Sequence, residues 1–582
     1  MRYSEIAELV ELITSVPTYT IVGVSCSKLL YLSDVAGGLN LWSMDLASGG
    51  RERLTDEVIH SVAKPRETSS IIVYTSDVST GRELQKVFYV DVVTRRKGLL
   101  ADMEPMRVIG IAHDGETIAF SGASKNDASI YLIRRGSLEK VFTFSKGRAF
   151  VTDIFKGTVV GFGTLLDDPR TYELFIFDIG TGEFKVYTPR NGAINKNPVI
   201  KDRRVLFETN YLGKSRLAIL DLDTSELNTI AFTYSDYVKY DPVEHLMYDW
   251  LEDERVWVVG KKNGRVEMFI DGKALGLPPG YVNGACVHGG KAYLSISSLR
   301  SPWRVLEADL VTGSLRVLID NDLPEKLSIG LGDVVFAKYK SFDDLEVPAY
   351  IVESRVATKP GPTVVYVHGG PWWEVPDMWS PFIAGLVASG FHVIAPNFRG
   401  STGYGEEFRA LDIGDPGGGD LEDIVYAAYY AKAIGLADRV AITGYSYGGF
   451  MTFLATVKKP NVWICGVAGA GITDWELMRE LSDAYFKHFI DILFAGRKEL
   501  FKDRSAINFV ENLKVPLCII HPQNDSRTPL LPILNYLTKL WELGKAFEVH
   551  ILPGIGHALL RQEDVAKVLL YTIGFLRKDV YS

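Results

Sequence analysis

The period of the apolar positions changes twice along this chain. Between Ser4 and Val16, Ile6, Leu9, Val10 and Ile13 fall at i, i+3, i+4 and i+7, with Glu5, Glu8 and Glu11 off that stripe. This is one amphipathic helix, ended by Pro17, whose apolar stripe must pack on a domain. From about Ile21 to Pro324 helical periodicity disappears. Short β-rich runs alternate with Gly, Asp and Ser, and a punctuation recurs. A strand closes at Asp45, Asp91, Arg134, Asp178, Asp221, Asp271 and Asp309, each followed by a turn, at a mean spacing of about 44 residues. A four-stranded blade needs roughly that length. Seven such units predict a seven-bladed β-propeller, with a pair of β-sandwiches as the alternative.

Beyond Leu323 to Gly332 the period changes again. Val334–Phe336 and Val347–Val352 predict a hairpin around Phe342-Asp343-Asp344. Apolar runs at Thr363–Val367, His392–Ala395, Val440–Ile442, Ile464–Ala468, Leu517–Ile520 and Phe547–Ile551 then alternate with helical segments such as Leu421–Ala433 and Leu530–Leu543. That alternation predicts a doubly wound sheet, whose sites lie beyond the C-terminal strand ends. The expected division is a helix over residues 1–20, a propeller over 21–325 and an α/β domain over 326–582.

Length agrees, since 582 residues exceed what one core holds. A net charge of −9 argues against nucleic acid or an anionic membrane as partner. No run reaches spanning length and Met1–Thr20 lacks a basic-then-apolar leader, so neither a membrane span nor a signal peptide is expected. Cys26, Cys286, Cys465 and Cys518 are scattered, which indicates neither a zinc site nor a disulfide framework and points to a reducing, cytoplasmic setting. The chain has only Gln85, Gln523 and Gln562 as glutamines, a weak thermophile signal. No metal or organic cofactor is expected. There is no His-Glu-x-x-His, and the glycine-rich Gly414–Gly419 lacks the Lys-Ser/Thr of a phosphate loop.

The chemistry concentrates at Gly444-Tyr445-Ser446-Tyr447-Gly448-Gly449, between an apolar strand and the helix-forming Phe450–Leu454. A Gly-x-Ser-x-Gly on a strand–turn–helix holds its serine exposed at the sheet's C-terminal end, the nucleophile elbow of an α/β-hydrolase. A serine hydroxyl needs an imidazole to take its proton and a carboxylate to orient that imidazole. His557, on the glycine turn after Phe547–Ile551, is the candidate base, while His550 within the strand reads as packing. Asp525, after Leu517–Ile520, is the leading acid, and Asp474 is the alternative unless it caps a helix. Backbone N–H groups of Tyr447 and of the loop His368-Gly369-Gly370-Pro371 would hold the oxyanion. His368 reads as structural.

Gly-Tyr-Ser-Tyr-Gly-Gly, His-Gly-Gly-Pro, Asn397-Phe398-Arg399-Gly400-Ser401-Thr402-Gly403-Tyr404-Gly405, Asn524-Asp525-Ser526-Arg527-Thr528-Pro529 and Gly556-His557 together resemble the prolyl oligopeptidase family, and within it the archaeal type of acylaminoacyl peptidase. The resemblance implies Ser446, Asp525 and His557 as a triad, Gly370 and Tyr447 as the oxyanion hole, and Arg527 as a donor to a substrate carbonyl. It implies a side-chain pocket near Ile472, Trp475, Phe486, Phe489 and Ile490, with plain core packing of the aromatics as the alternative. It implies release of N-acylated residues from short peptides, with side esterase activity; a homo-oligomer, a dimer first, is expected. The rival readings are a dipeptidyl aminopeptidase, a broad carboxylesterase and a non-enzymatic scaffold. The aminopeptidase needs a propeller carboxylate for a free ammonium group, and Asp249–Arg255 somewhat resembles that acidic motif.

Overall fold

A computed structural model describes residues 1–144 and 148–581. Between Tyr19 and Ile319 the chain forms seven four-stranded sheets, each built from four consecutive strands: a seven-bladed propeller. The recurrent aspartate has a physical cause. Asp45, Asp91, Asp178, Asp221 and Asp309 end the third strand of their blades, and each carboxylate accepts the backbone N–H three residues on at 2.8–2.9 Å. Such turns tie the third strand to the fourth. The third and sixth blades turn instead through Arg135-Gly136 and Asp271-Gly272, all at positive φ, the two-residue hairpin geometry. Among the described residues no strand of the last blade pairs with one of the first, and the ring closes by packing and by Asn283 Nδ2 donating to Thr20 Oγ1 at 2.6 Å. At Gly284 of the last blade a Cβ would stand 2.2 Å from the Ile21 carbonyl of the first, so the innermost strands meet where only glycine fits.

After the propeller comes one eight-stranded sheet. Along the chain its strands are β1 Leu331–Lys340, β2 Glu346–Ser354, β3 Gly361–Val367, β4 His392–Pro396, β5 Ala437–Tyr445, β6 Gly466–Gly469, β7 Leu517–Pro522 and β8 Phe547–Leu552. Their spatial order is β1-β2-β4-β3-β5-β6-β7-β8, antiparallel as far as the β2–β4 pair and parallel from β4 onward. The central strands are almost wholly buried, as the continuous apolar runs require when helices cover both faces. This is the doubly wound α/β-hydrolase sheet. The N-terminal helix, Tyr3–Thr14, lays Ile6, Leu9, Val10 and Ile13 into the core beside the helices Gln562–Tyr581 and Pro381–Ala388. Among the described residues no helix is long and apolar enough to cross a membrane.

The helix Gly419–Ala433, which crosses from β4 to β5, carries buried acids that lock neighbouring segments. Arg399 donates to Asp423 at 2.8 and 2.9 Å and to Asp343 at 2.9 and 3.0 Å, tying the β1–β2 turn to this helix. Asp420, fully buried, accepts the Tyr447 hydroxyl at 2.6 Å. Burial pushes its carboxyl from the ordinary 3.8 up to about 7, even though Tyr447 and two backbone N–H groups favour the charged form. Buried Asp412 beside it is raised as well, by its own burial and by the charge of Asp420.

A carboxyl raised on folding favours the native state while it stays protonated. That advantage is complete below the unfolded value and is lost as pH rises through the folded value. Asp420→Asn keeps an acceptor for Tyr447 and cannot ionise. Its Tm relative to the parent should therefore climb between about pH 4 and about pH 7 and level off above. Calorimetry in matched buffers checks this, and a difference flat across that window would mean that Asp420 titrates normally.

Candidate active site

Strand β5 runs straight into the helix Tyr447–Lys458, and Ser446 occupies the corner at φ 60°, ψ −119°. Few side chains adopt that conformation without surrounding constraint. The constraint is the closeness of strand and helix. A Cβ on Gly448 would stand 2.0 Å from the Val367 carbonyl, and one on Gly444 would stand 2.5 Å from Gly448. The elbow is pinned further by the Ser446 N–H, which donates to Gly469 O at 2.9 Å.

Three strand ends converge here. His557 Nε2 lies 2.9 Å from Ser446 Oγ, and His557 Nδ1 lies 2.7 Å from Asp525 Oδ2. The other oxygen of Asp525 accepts the N–H groups of Arg527 and Thr528 at 2.9 and 2.8 Å. Burial alone would raise this carboxyl, but the His557 ring, His521 and the Thr528 N–H hold it below the usual range. Asp474 does not reach the imidazole. It caps the helix Trp475–Leu481 by accepting Leu477 N–H at 3.0 Å. His550 is packing: it bonds Glu548 at 2.8 Å and stacks on Tyr571. With Cys518 those two form a group of metal-type ligand atoms within 4.8 Å, away from the catalytic cavity lining. His368 is also structural. It bonds Gly369 O and Ser401 Oγ, stacks on Phe398, and burial pushes its pKa down to about 4.

The Tyr447 N–H opens a helix and therefore has no intrahelical acceptor. Gly370 sits at φ +126°, and both residues line the cavity with Ser446. That cavity holds about 410 Å³ and lies between propeller and hydrolase sheet. Ile472, Phe486 and Phe489 are on its wall, with Met478 and Tyr485. Trp475 and Ile490 are not. Both are completely buried behind the wall, Trp475 between Phe450 and Phe494, so they are core. The amphipathic stretch that contains them is two helices, Trp475–Leu481 and Ala484–Leu493, the second capped by Asp483.

Sequence patterns gave no sign of the propeller's share of the site. Glu83, 2% exposed, accepts Arg527 Nε at 2.8 Å and Arg107 Nη1 at 2.5 Å. Burial opposes its charge, but Arg527 and Arg107 hold the carboxyl well below its ordinary range. Arg107 also donates to Ser526 at 2.9 Å and to Asp483 at 2.6 Å. Thr80 O accepts Asn524 Nδ2 at 2.7 Å. Glu83 and Arg107 are 443 and 419 residues from Ser526, so no local spacing could connect them. Asp249, by contrast, pairs with Lys64 in a separate cavity on the propeller axis, of about 660 Å³, and does not line the catalytic one.

Comparison with known proteins agrees with this architecture. Residues 30–306 match the model of the acylamino-acid-releasing enzyme-like N-terminal domain, and residues 379–581 match that of the prolyl oligopeptidase family. A dipeptidyl aminopeptidase BIII of Pseudoxanthomonas mexicana is 25% identical over 94% of this chain and 78% of its own length. The acylamino-acid-releasing enzyme of Arabidopsis thaliana is 28% identical over 49% of this chain and 39% of its own length. The chain thus spans well under half of the plant relative. The fold is shared with the acylaminoacyl peptidase of Pyrococcus horikoshii, at a TM-score of 0.71 and 17% identity over 98% of this chain and 97% of that one. A structure from a study of two prolyl endopeptidases superposes with a TM-score of 0.86 and 14% identity over 100% of this chain and 92% of that one. With an elbow serine, a converging imidazole and carboxylate, and a propeller over the strand ends, the chain belongs to the prolyl oligopeptidase family of serine peptidases.

Proposed function

We propose that this protein is an acylaminoacyl peptidase that releases N-acylated residues from short peptides and also cleaves simple esters. Ser446 Oγ attacks the scissile carbonyl as His557 Nε2 takes its proton. Asp525 keeps the imidazole in the competent tautomer and stabilises it once charged. The N–H groups of Tyr447 and Gly370 hold the oxyanion. His557 then protonates the leaving amine, and a water activated by the same imidazole frees the acyl-amino acid from Ser446.

The observation that carries the acyl specificity is the charge of the cavity lining. Its one carboxylate, Glu83, is occupied by Arg527 and Arg107, and Arg148 adds a third guanidinium. Such a lining suits a neutral acyl group and repels a free α-ammonium. Arg527, with Nε and Nη2 on Glu83, is the proposed donor to the acyl carbonyl. The second reading, a dipeptidyl aminopeptidase, draws on the full-length similarity to the Pseudoxanthomonas enzyme and would require an ammonium group to displace an arginine from Glu83.

Ser446→Ala should lower kcat by several orders of magnitude with the far-UV spectrum unchanged, and Asp525→Asn should cost about 10⁴-fold while Asp474→Asn costs little. An active Ser446→Ala enzyme, or the reverse ranking of the two aspartates, overturns the roles. Acetyl-aminoacyl anilides, free dipeptidyl anilides and p-nitrophenyl esters, assayed side by side, decide specificity. The acetylated anilide should exceed the free dipeptidyl one by about tenfold or more in kcat/KM, as expected if one ammonium–guanidinium repulsion separates them. The opposite order would favour the second reading.

A further inference from the structure

The catalytic cavity holds an arginine to which the chemical steps above assign no contact with the substrate. Arg148 begins the innermost strand of the fourth blade, Arg148–Phe155, and lines the cavity beside Ser446, Gly370 and Tyr447. It is only 7% exposed. Its guanidinium carbon lies 5.1 Å from the ring centre of Trp372, 5.2 Å from Phe489, 5.3 Å from Tyr485 and 5.8 Å from Phe150. Nη1 donates to the Tyr485 hydroxyl at 3.2 Å, and Nε is buried with no acceptor. Among the described residues no carboxylate is paired with it, whereas Arg107 holds Glu83 and Asp483, and Arg527 holds Glu83.

Ring faces attract a cation but accept little from an N–H group lying off the ring. A buried guanidinium without a counter-ion is costly, and its planar edge matches a carboxylate. The surroundings say whose carboxylate that is. Trp372 follows the oxyanion residue Gly370 by two positions, and Phe489 belongs to the cavity wall. A group bridging to Arg148 must therefore belong to a molecule whose reacting carbonyl sits at Ser446.

We propose that Arg148 is a specificity residue that anchors a carboxylate of the substrate close to the scissile bond. Resting on the acyl-peptidase reading, this makes N-acylated substrates with a negative charge at that place the preferred class. The charge is either an acidic side chain on the released residue or the free C-terminus of a two-residue acyl peptide.

Competition against p-nitrophenyl butyrate hydrolysis by the full-length enzyme reads this directly. One pair is acetyl-glutamic acid α-amide against acetyl-glutaminamide, which differ only in the side-chain charge. The other is acetyl-leucyl-alanine against its C-terminal amide. In one of the two pairs the carboxylate should bind the parent about 10- to 100-fold more tightly, the range for a charge-assisted hydrogen bond, and the pair that responds identifies the source. Arg148→Met should bring that ratio close to unity, and Arg148→Lys should restore part of it. Equal affinities within both pairs for the parent overturn the proposal even if the variants do not fold, as does a preference that survives in Arg148→Met. Because the reporter is an ester, a failure of acetyl-aminoacyl anilide cleavage would sink the peptidase reading separately and leave this ratio measurable.

Discussion

The catalytic geometry depends on a contact between two backbones. Gly81, on the propeller hairpin that carries Glu83, lies flat against Gly556, the residue before His557. A Cβ on Gly556 would stand 1.7 Å from the Gly81 carbonyl, and one on Gly81 would stand 2.5 Å from the Gly556 N–H. Neither position has room for a side chain. The same hairpin accepts Asn524 through Thr80 O and Arg527 through Glu83, on either side of Asp525. The loops that present the base and the acid are thus braced by the propeller. Their own domain braces them as well, through Asn524 N–H on Ile555 O at 2.9 Å, Thr528 Oγ1 on Ala470 O at 2.9 Å and the Tyr445 hydroxyl on His557 O at 3.0 Å. A buried ion pair adds little net stability, but removal of one partner leaves a charge stranded in a dry site. Glu83, paired with Arg107 of the propeller and Arg527 of the hydrolase domain, therefore ties the hairpin to the loop of Asp525.

The features legible in the sequence were those with local causes. The helix Tyr3–Thr14 shows its 3.6-residue stripe, and the propeller shows its aspartate turns because each carboxylate caps backbone three residues away. The elbow is legible because strand, serine and helix are contiguous and the glycines are sterically required. His557 and Asp525 follow from strand ends in the expected order. Long-range packing was not legible. Trp475 and Ile490 have the composition of a pocket, but Trp475 packs between Phe450 and Phe494, and Ile490 lies on the buried side of the helix whose Phe486 and Phe489 line the cavity. The acidic run Asp249–Arg255 looked like a ligand for ammonium. The blade turns it to the axis, where Lys64 neutralises Asp249. Glu83, Arg107 and Arg148 are unremarkable in composition and become a site only when the ring closes.

That division between local and long-range causes also separates chemistry from specificity. In the proposed mechanism the hydrolase sheet supplies nucleophile, base, acid and oxyanion donors, and a fold with these parts supports many reactions. Most of the charge that a substrate meets is supplied by the propeller. Although the chain as a whole carries −9, the cavity lining has three arginines against one glutamate. In a desolvated space such fixed charges act strongly on a bound group, because little water screens them. On the proposed reading a neutral acyl terminus enters this field without penalty, an ammonium terminus must break a pair on Glu83, and a carboxylate gains Arg148. Exchanging Arg148, which braces neither the His557 loop nor the Asp525 loop, would therefore change which peptide ends are admitted while the elbow and its triad geometry stay as they are, whereas exchanging Glu83 would also release Arg527 beside Asp525.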